Sequence, residues 1–363
     1  MPMPGPGAID CDIHASLPGL NSLLPYLDDY WHEHILARGL QLIDYTISGW
    51  QPSIPLNTRP DWFPKGERPA SRLEMIQADV LDPFKLDYGI LNCVHGALAY
   101  FNEDLSAVLC TALNDWIAKE WLDREPRLRA SIVVPMHSPE QAAKEIERRA
   151  ADPRFVQVLM LSMGETPPGR RLNWPIYRAA VKHGLPIGFH AGSTKRHAPT
   201  SIGWPALHVE DYVAYSTGFG ALLNSLISEG VFDEFPELQV VLIESGVTWF
   251  PGWMWRANKT WRGVRREVPW VKEPPSEYAR RHVKLTLQPF DAPPTKEQLD
   301  IVIEQIGSDG MILYSSDYPH HHYEGHDTLP EGLSPDLVAR ITRENPLQFY
   351  KRLQAVTLEK DTV

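Results

Sequence analysis

AIDCDIH, residues 8–14, is a short run in which apolar residues alternate with two aspartates and end in a histidine. Because successive side chains of a β-strand point to opposite faces, Asp12 and His14 lie on the same face of the strand that this stretch predicts. Carboxylate and imidazole groups are common metal ligands in proteins. A single Asp-x-His pair is weak evidence for a metal site, however, since many strands carry one by chance.

Further apolar runs follow along the chain, and segments of helical periodicity separate several of them. Such a succession of strands and helices, at this chain length, favours a (β/α)8 barrel over an open doubly wound sheet. No Gly-x-Gly-x-x-Gly motif follows the first run, which disfavours a dinucleotide-binding fold. We therefore predict an α/β protein with an amidohydrolase-like (β/α)8 TIM barrel as one domain over 1–363 and strands at 8–14, 89–94, 129–135, 155–161, 185–190, 238–244, 283–288 and 311–317.

Two segments exceed the length of ordinary barrel loops. Residues 15–71, after the first predicted strand, are rich in proline and contain Trp31, Trp50 and Trp62. Long loops inside compact domains are usually functional, so we predict that this insertion forms a lid over the rim of the barrel. Residues 248–275 are rich in tryptophan and arginine, and we predict that they form a second elaboration after the sixth strand.

The composition excludes several classes of protein. The 363 residues are 43% hydrophobic and carry a formal net charge of -11, which disfavours nucleic acid as a partner. No apolar run is long enough to cross a bilayer, and the MPMPGPG start lacks the features of a secretory signal. The three cysteines lack CxxC spacing, which indicates reduced thiols. We expect a cytoplasmic protein without membrane partners; the oligomeric state is left open, a homo-oligomer included.

Three more predicted strands end in a potential metal ligand. His190 ends LPIGFH, Glu244 ends LQVVLIE and Asp317 ends MILYSSD. The carboxyl ends of parallel barrel strands meet at one rim, where these side chains would join Asp12 and His14. Because buried charges without a partner are costly, this convergence favours a metal site over an ordinary barrel interior.

The segment after Asp317 adds three histidines, in the order Tyr-Pro-His-His-His. His320 stands three residues after Asp317, and this carboxylate-x-x-His spacing resembles that of di-iron carboxylate proteins, although those place it on bundle helices. His321 and His322 are left undecided between metal ligands and residues of a solvated turn, and His197 is expected to be a surface or packing histidine. A mixed carboxylate and imidazole set suits iron, manganese or zinc.

These motifs resemble the amidohydrolase superfamily over most of the chain, specifically the branch that includes aminocarboxymuconate-semialdehyde decarboxylase. The first strand of that branch reads roughly Asp-x-His-x-His, and Asp12 and His14 match its two ligand positions. His190 matches the histidine of strand five, and Asp317 matches the aspartate of strand eight. The chain departs at strand six, where those decarboxylases carry a catalytic histidine before glycine and this chain has Glu244. Strand four also lacks the lysine that other superfamily members carbamylate.

The Glu-Ser-Gly and Ser-Ser-Asp-Tyr-Pro-His motifs are similar to a narrower group on the same scaffold, the TIM-barrel nonheme diiron monooxygenases. The type member of that group hydroxylates a diterpenoid thioester in platensimycin and platencin biosynthesis. The resemblance implies an oxidoreductase of secondary metabolism that takes a CoA-linked acyl substrate, O2 and electrons from an external donor. It also implies catalytic roles for Glu244 and Asp317, with two Fe ions held by Asp12, His14, His190, Glu244, Asp317 and His320.

The alternative on this scaffold is a mononuclear metal-dependent hydrolase or decarboxylase of the amidohydrolase superfamily. One Zn or Mn ion would lower the pKa of a bound water or polarise a substrate oxygen, and Asp317 would transfer the proton. Glu244 then has no role that the resemblance supplies.

Overall fold

The computed structural model describes residues 4–40, 57–94, 96–320 and 328–353. Within these ranges eight parallel strands form one sheet in sequence order. Every strand overlaps a stretch predicted from the sequence, and the (β/α)8 barrel is confirmed. The strands are β1 (Ile9–Ile13), β2 (Tyr88–Leu91), β3 (Leu128–Val133), β4 (Phe155–Met163), β5 (Ile187–Ser193), β6 (Val240–Ile243), β7 (Val283–Thr286) and β8 (Ile312–Leu313).

The sheet closes between β1 and the residues that follow β8. Ile13 forms a parallel bridge with Tyr318. The backbone N–H of Cys11 donates to the carbonyl of Tyr314 at 3.0 Å, and that of His14 donates to the carbonyl of Tyr318 at 2.8 Å. The end of β1 and the chain after β8 therefore reach the same rim of the barrel.

Helices surround the sheet and cover its outer face. In α3, for example, Leu105, Leu109 and Leu113 recur at helical spacing and are buried. No helix of the described ranges combines the length and the apolar character that a bilayer span requires. The α-helices are α1 (Asp29–Arg38), α2 (Leu73–Ile76), α3 (Glu103–Ile117), α4 (Pro139–Arg149), α5 (Trp174–Lys182), α6 (His208–Ser228), α7 (Val231–Glu234), α8 (Phe250–Val264), α9 (Pro275–His282), α10 (Lys296–Ile306), α11 (Pro335–Ala339) and α12 (Asn345–Phe349).

The described end of the 15–71 insertion contacts the chain after β8. Thr58 forms an antiparallel bridge with His320, and the backbone N–H of Arg59 donates to the carbonyl of Pro319 at 3.0 Å. Residues 41–56 lie outside the described ranges, so the lid stays a prediction. The single-domain assignment and the elaboration at 248–275 also stay predictions; α8 lies within that second segment.

A cluster of His137, Arg196 and the exposed Glu165 joins the chain segments that follow β3, β4 and β5. The guanidinium of Arg196 donates to Glu165 at 2.5 Å and to the carbonyls of Ala99 and Tyr100 at 3.2 and 2.6 Å. His137 Nδ1 lies 3.9 Å from Glu165 Oε2. Burial, together with the positive charge of Arg196, lowers the pKa of His137 to about 4. The folded protein therefore keeps this imidazole neutral at physiological pH.

We expect His137 to make the free energy of unfolding depend on pH between 6.5 and about 4. Because the unfolded histidine has the higher pKa, protons bind the unfolded chain preferentially in this window, so stability is greatest above pH 6.5 and falls as the pH falls. Urea denaturation of His137→Gln across this range should give a flatter profile than the wild type, whereas His197→Gln, in an exposed loop, should not. An equally steep profile for His137→Gln would contradict the expectation.

Candidate metal centre

The strand ends bring the predicted ligands to one rim of the barrel. Asp12 lies in β1, His14 directly follows that strand, and His190 lies in β5. Glu244 follows β6 and Asp317 follows β8, with φ angles of 57° and 55°. Residues other than glycine rarely adopt such positive φ angles, and backbone strain of this kind concentrates at functional sites.

The Glu-Ser-Gly turn after β6 sets the position of Glu244. Gly246 has a φ of 60°, and a Cβ atom there would lie 2.7 Å from the carbonyl oxygen of Pro289, so only glycine fits. The backbone N–H of Glu244 donates to Thr286 Oγ1 at 2.8 Å. The hydroxyl of Tyr212, from α6, donates to Glu244 Oε1 at 3.2 Å. The backbone and the carboxyl group of Glu244 are thus both held by neighbouring elements.

Four of the predicted ligands form a compact donor group. Asp12, His14, His190 and Asp317 are buried, and their ligand atoms all lie within 4.8 Å of one another. Asp12 Oδ2 and His190 Nε2 are 3.7 Å apart, and neither has a hydrogen-bond partner among the described residues. His190 Nδ1 donates to the carbonyl of Ala191 at 2.7 Å, which leaves Nε2 as the nitrogen that can bind a cation once it has lost its proton.

This donor group fits a divalent cation. Buried polar atoms are rarely left without a partner, and an ion between Asp12 Oδ2 and His190 Nε2 would satisfy both. Two carboxylates and two imidazoles suit manganese or zinc, and the absence of a thiolate from the group disfavours a structural zinc site.

Glu244 and His320 flank the donor group. Glu244 Oε2 lies 3.5 Å from His190 Nε2. His320 Nδ1 lies 3.1 Å from Asp317 Oδ1, and the ring centroids of His320 and His14 are 4.8 Å apart. The structure therefore places all six predicted ligands side by side, while ligand roles for Glu244 and His320 stay predictions.

Of the other histidines considered, His197 lies exposed in the loop after β5. His321 and His322 lie outside the described residues. Two neighbours of the site were missed: Tyr212, which contacts Glu244, and Asn92, whose Nδ2 donates to Asp12 Oδ1 at 2.9 Å. The only sequence signal for Asn92 is its place as a polar residue inside a predicted strand. Tyr212 lies in a helix, and nothing in its sequence context indicates a contact with the site.

The pKa values of two carboxyl groups in the site, Glu244 and Asp317, are shifted in opposite directions. Burial and the nearby charge of Asp317 raise the pKa of Glu244 to about 8. Burial raises the pKa of Asp317 too, but attraction to His320 and its hydrogen bonds outweigh burial and hold that pKa below its usual range. For His190, burial lowers the pKa, but the Asp12 carboxylate and its neighbours outweigh burial and raise the pKa to about 9. At neutral pH the Asp317 carboxylate is therefore anionic, and the Glu244 carboxyl group keeps its proton.

A parallel barrel that gathers such a donor set at the carboxyl ends of its strands defines the class of metal-dependent TIM-barrel proteins. Within that class, the Amidohydrolase family model matches residues 9–352. The chain belongs to this family.

Known relatives share the fold at low sequence identity. The chain is 28% identical over 258 residues to gamma-resorcylate decarboxylase of Rhizobium sp. (strain MTP-10005), an alignment that covers 66% of this chain and 74% of that protein. It superposes on an amidohydrolase from Mycobacterium avium subsp. paratuberculosis K-10 with a TM-score of 0.69 and 21% identity over 95% of this chain and 99% of the other. For a dihydroxybenzoic acid decarboxylase from Polaromonas sp. JS666, which holds manganese and 2-nitroresorcinol, the TM-score is 0.64 and the identity 19% over 95% and 97%.

The prediction of a nonheme diiron monooxygenase is wrong, as are its acyl-CoA substrate, O2 and external electron donor. Curated relatives are gamma-resorcylate decarboxylases, and several of the similar structures hold manganese. The physical reason for the error is that the Glu-Ser-Gly and Ser-Ser-Asp-Tyr-Pro-His motifs describe how β6 and β8 end. They place carboxylates and imidazoles at the rim, and such donors suit several metals and several reactions.

Proposed function

We propose that this protein is a carboxy-lyase that removes the carboxyl group of a small hydroxylated aromatic acid and uses one divalent cation, manganese or zinc. The observation that carries the proposal is the compact donor group of Asp12, His14, His190 and Asp317 at the barrel rim. The similarity to gamma-resorcylate and dihydroxybenzoic acid decarboxylases supports a carboxy-lyase over a hydrolase. Their names supply the substrate class of the proposal.

The reaction breaks one carbon–carbon bond and forms one carbon–hydrogen bond. The substrate carboxylate leaves as CO2, its bonding electron pair stays on the ring carbon, and a proton from the protein neutralises that carbon. When bound, the cation supplies Lewis acidity that holds and polarises the substrate oxygens. No oxidant or reductant is consumed.

In this proposal Glu244 holds the proton that the ring carbon receives. Its carboxyl group lies 3.5 Å from His190 and is steadied by Tyr212, so it sits beside the donor group without belonging to it. Glu244 also stands at the strand-six position where the resembling decarboxylases carry a catalytic histidine. Its placement supports a role in proton transfer, because this chain has no histidine at the end of strand six to perform it.

Asp317, a member of the donor group, acts together with His320. Asp317 Oδ1 is 2.8 Å from His14 Nε2 and 3.1 Å from His320 Nδ1. In the proposed site Asp317 binds the cation, and His320 orients that carboxylate. The contact with His320 thereby limits the rotation of the Asp317 carboxylate.

The proposal predicts CO2 release that does not depend on oxygen. Protein loaded with Mn(II) or Zn(II) and mixed with a panel of hydroxybenzoates, 2,6-dihydroxybenzoate included, should release CO2 and the decarboxylated phenol in equal amounts. Turnover should be the same under air and under nitrogen, and protein stripped with a chelator should be inactive. Metal-loaded protein that releases no CO2 from any member of the panel would contradict the proposal.

A further inference from the structure

A chain of buried hydrogen bonds runs through the barrel interior to the metal centre. The hydroxyl of Tyr350, just after α12, donates to Gln157 Oε1 at 2.9 Å. Gln157 Nε2 donates to Asn92 Oδ1 at 2.9 Å and to Ser131 Oγ at 2.8 Å. Ser131 Oγ donates to Asn92 Oδ1 at 2.5 Å. Asn92 Nδ2 then donates to Asp12 Oδ1 at 2.9 Å. A continuous path therefore links the C-terminal segment to a ligand of the candidate metal centre.

The hydrogen bonds of this network fix the orientation of the Asn92 amide. Asn92 Oδ1 accepts from both Gln157 and Ser131, so the amide nitrogen of Asn92 faces Asp12. The second N–H of that nitrogen donates to the carbonyl of Cys11 at 3.1 Å. Every member of the network has zero solvent exposure. Because a flipped Asn92 amide would leave buried donors facing one another, the network permits one orientation of this side chain.

A glycine on β5 leaves space in the barrel interior for this polar network. Gly188, on β5, stands beside Gln157, and a Cβ atom at that position would lie 3.2 Å from Gln157 Cδ and 2.7 Å from Ile243 Cδ1. The interior of such barrels is usually filled by branched apolar side chains, and a buried polar network is costly unless all its members are satisfied. A satisfied polar layer directly beneath a metal ligand indicates a role at that ligand.

We propose that Asn92 is a positioning residue for the metal ligand Asp12, and that the network from Tyr350 holds Asn92 in that role. The hydrogen bond from Asn92 occupies Oδ1 of Asp12 and stops the carboxylate from rotating. Oδ2 is thereby held 3.7 Å from His190 Nε2, and neither atom has a hydrogen-bond partner in the described part of the chain. The inference rests on the metal centre of the proposed function and not on the reaction.

The test compares Asn92→Ser with the matched variant Asn114→Ser. Asn114 is equally buried, and its Nδ2 donates to the carbonyl of Val133 at 2.8 Å and to Glu145 Oε1 at 2.7 Å, outside the metal centre. The Kd for Mn(II) is measured on metal-free protein by the EPR signal of free Mn(II), and Tm is measured on the same samples. We expect Asn92→Ser to bind Mn(II) roughly 10 to 100 times more weakly, and Asn114→Ser to keep the wild-type Kd with a similar loss in Tm.

Two results would overturn the assignment of Asn92. One is a Kd for Asn92→Ser within twofold of the wild type. The other is an equal weakening in Asn114→Ser, which would show that Mn(II) affinity merely follows the stability of the fold.

Tyr350→Phe is the second variant, because it keeps the buried ring and removes only the hydroxyl that donates to Gln157. We expect its Kd for Mn(II) to rise by about threefold, since loss of one donor loosens Asn92 without removing it. An unchanged Kd would overturn the part of the inference that reaches Tyr350. If Asn92→Ser does not fold, the Kd of Tyr350→Phe alone tests the inference, and an unchanged value overturns it. No substrate is present in these titrations, so a failure of the decarboxylase proposal would leave their outcome unaffected.

Discussion

His190→Gln is expected to lose its bound cation and nearly all activity. His190 offers an unpartnered Nε2 to the donor group, and its Nδ1–H is fixed on the carbonyl of Ala191. A neutral amide is a much poorer ligand for manganese or zinc than an imidazole. We expect the Kd for Mn(II) to rise by at least about 100-fold and CO2 release to fall by about 1000-fold or more, because removal of a ligand costs more than loss of an outer partner.

His282→Gln is the matched control for this variant. His282 is also buried, and its Nδ1 donates to the carbonyl of Leu238 at 2.8 Å, but its ring stacks on Phe232 away from the donor group. Elemental analysis of the two variants, with their Tm values, separates loss of the cation from loss of the fold. Full metal occupancy in His190→Gln, or equal metal loss in His282→Gln, would contradict the proposed centre.

Glu244→Gln is expected to keep its cation and lose turnover. The amide has nearly the shape of the carboxyl group and can still accept from Tyr212, but it cannot deliver a proton to the ring carbon. Loss of a positioned proton donor lowers kcat by roughly 10² to 10⁴-fold. We therefore expect unchanged metal occupancy and a fall in kcat within this range, measured as CO2 release with the best substrate of the panel.

Tyr212→Phe provides the comparison for Glu244→Gln. It removes the hydroxyl that steadies Glu244 but leaves the carboxyl group itself, so the fall in kcat should be smaller, on the order of tenfold. If Glu244→Gln instead loses the cation together with its activity, Glu244 is a ligand and not the proton donor. That result would overturn its proposed role while leaving the fold and the four-donor group in place.

The error in the predicted reaction shows which conclusions a motif supports. The resemblance to the diiron monooxygenases implies that Glu244, at the end of β6, is an iron ligand, and a carboxylate has two oxygens that can bridge two cations. The same carboxyl group beside His190 serves equally well as a proton donor in a decarboxylase. Residue type and position along a strand restrict the possible chemistry to a few classes, but they do not select one reaction on a scaffold that hosts many.

The barrel and the rim at which the ligands meet could both be predicted from the sequence. The alternation in AIDCDIH and the apolar runs that end in His190, Glu244 and Asp317 are local patterns, and local patterns follow directly from strand geometry and burial. How the ligands are held depends on contacts between distant parts of the chain. Asn92 reaches Asp12 across 80 residues, and Tyr350 reaches Gln157 across 193. Such contacts require atoms within hydrogen-bond distance, and that distance is set by strand order, register and the closure of the barrel, which no short stretch of sequence contains.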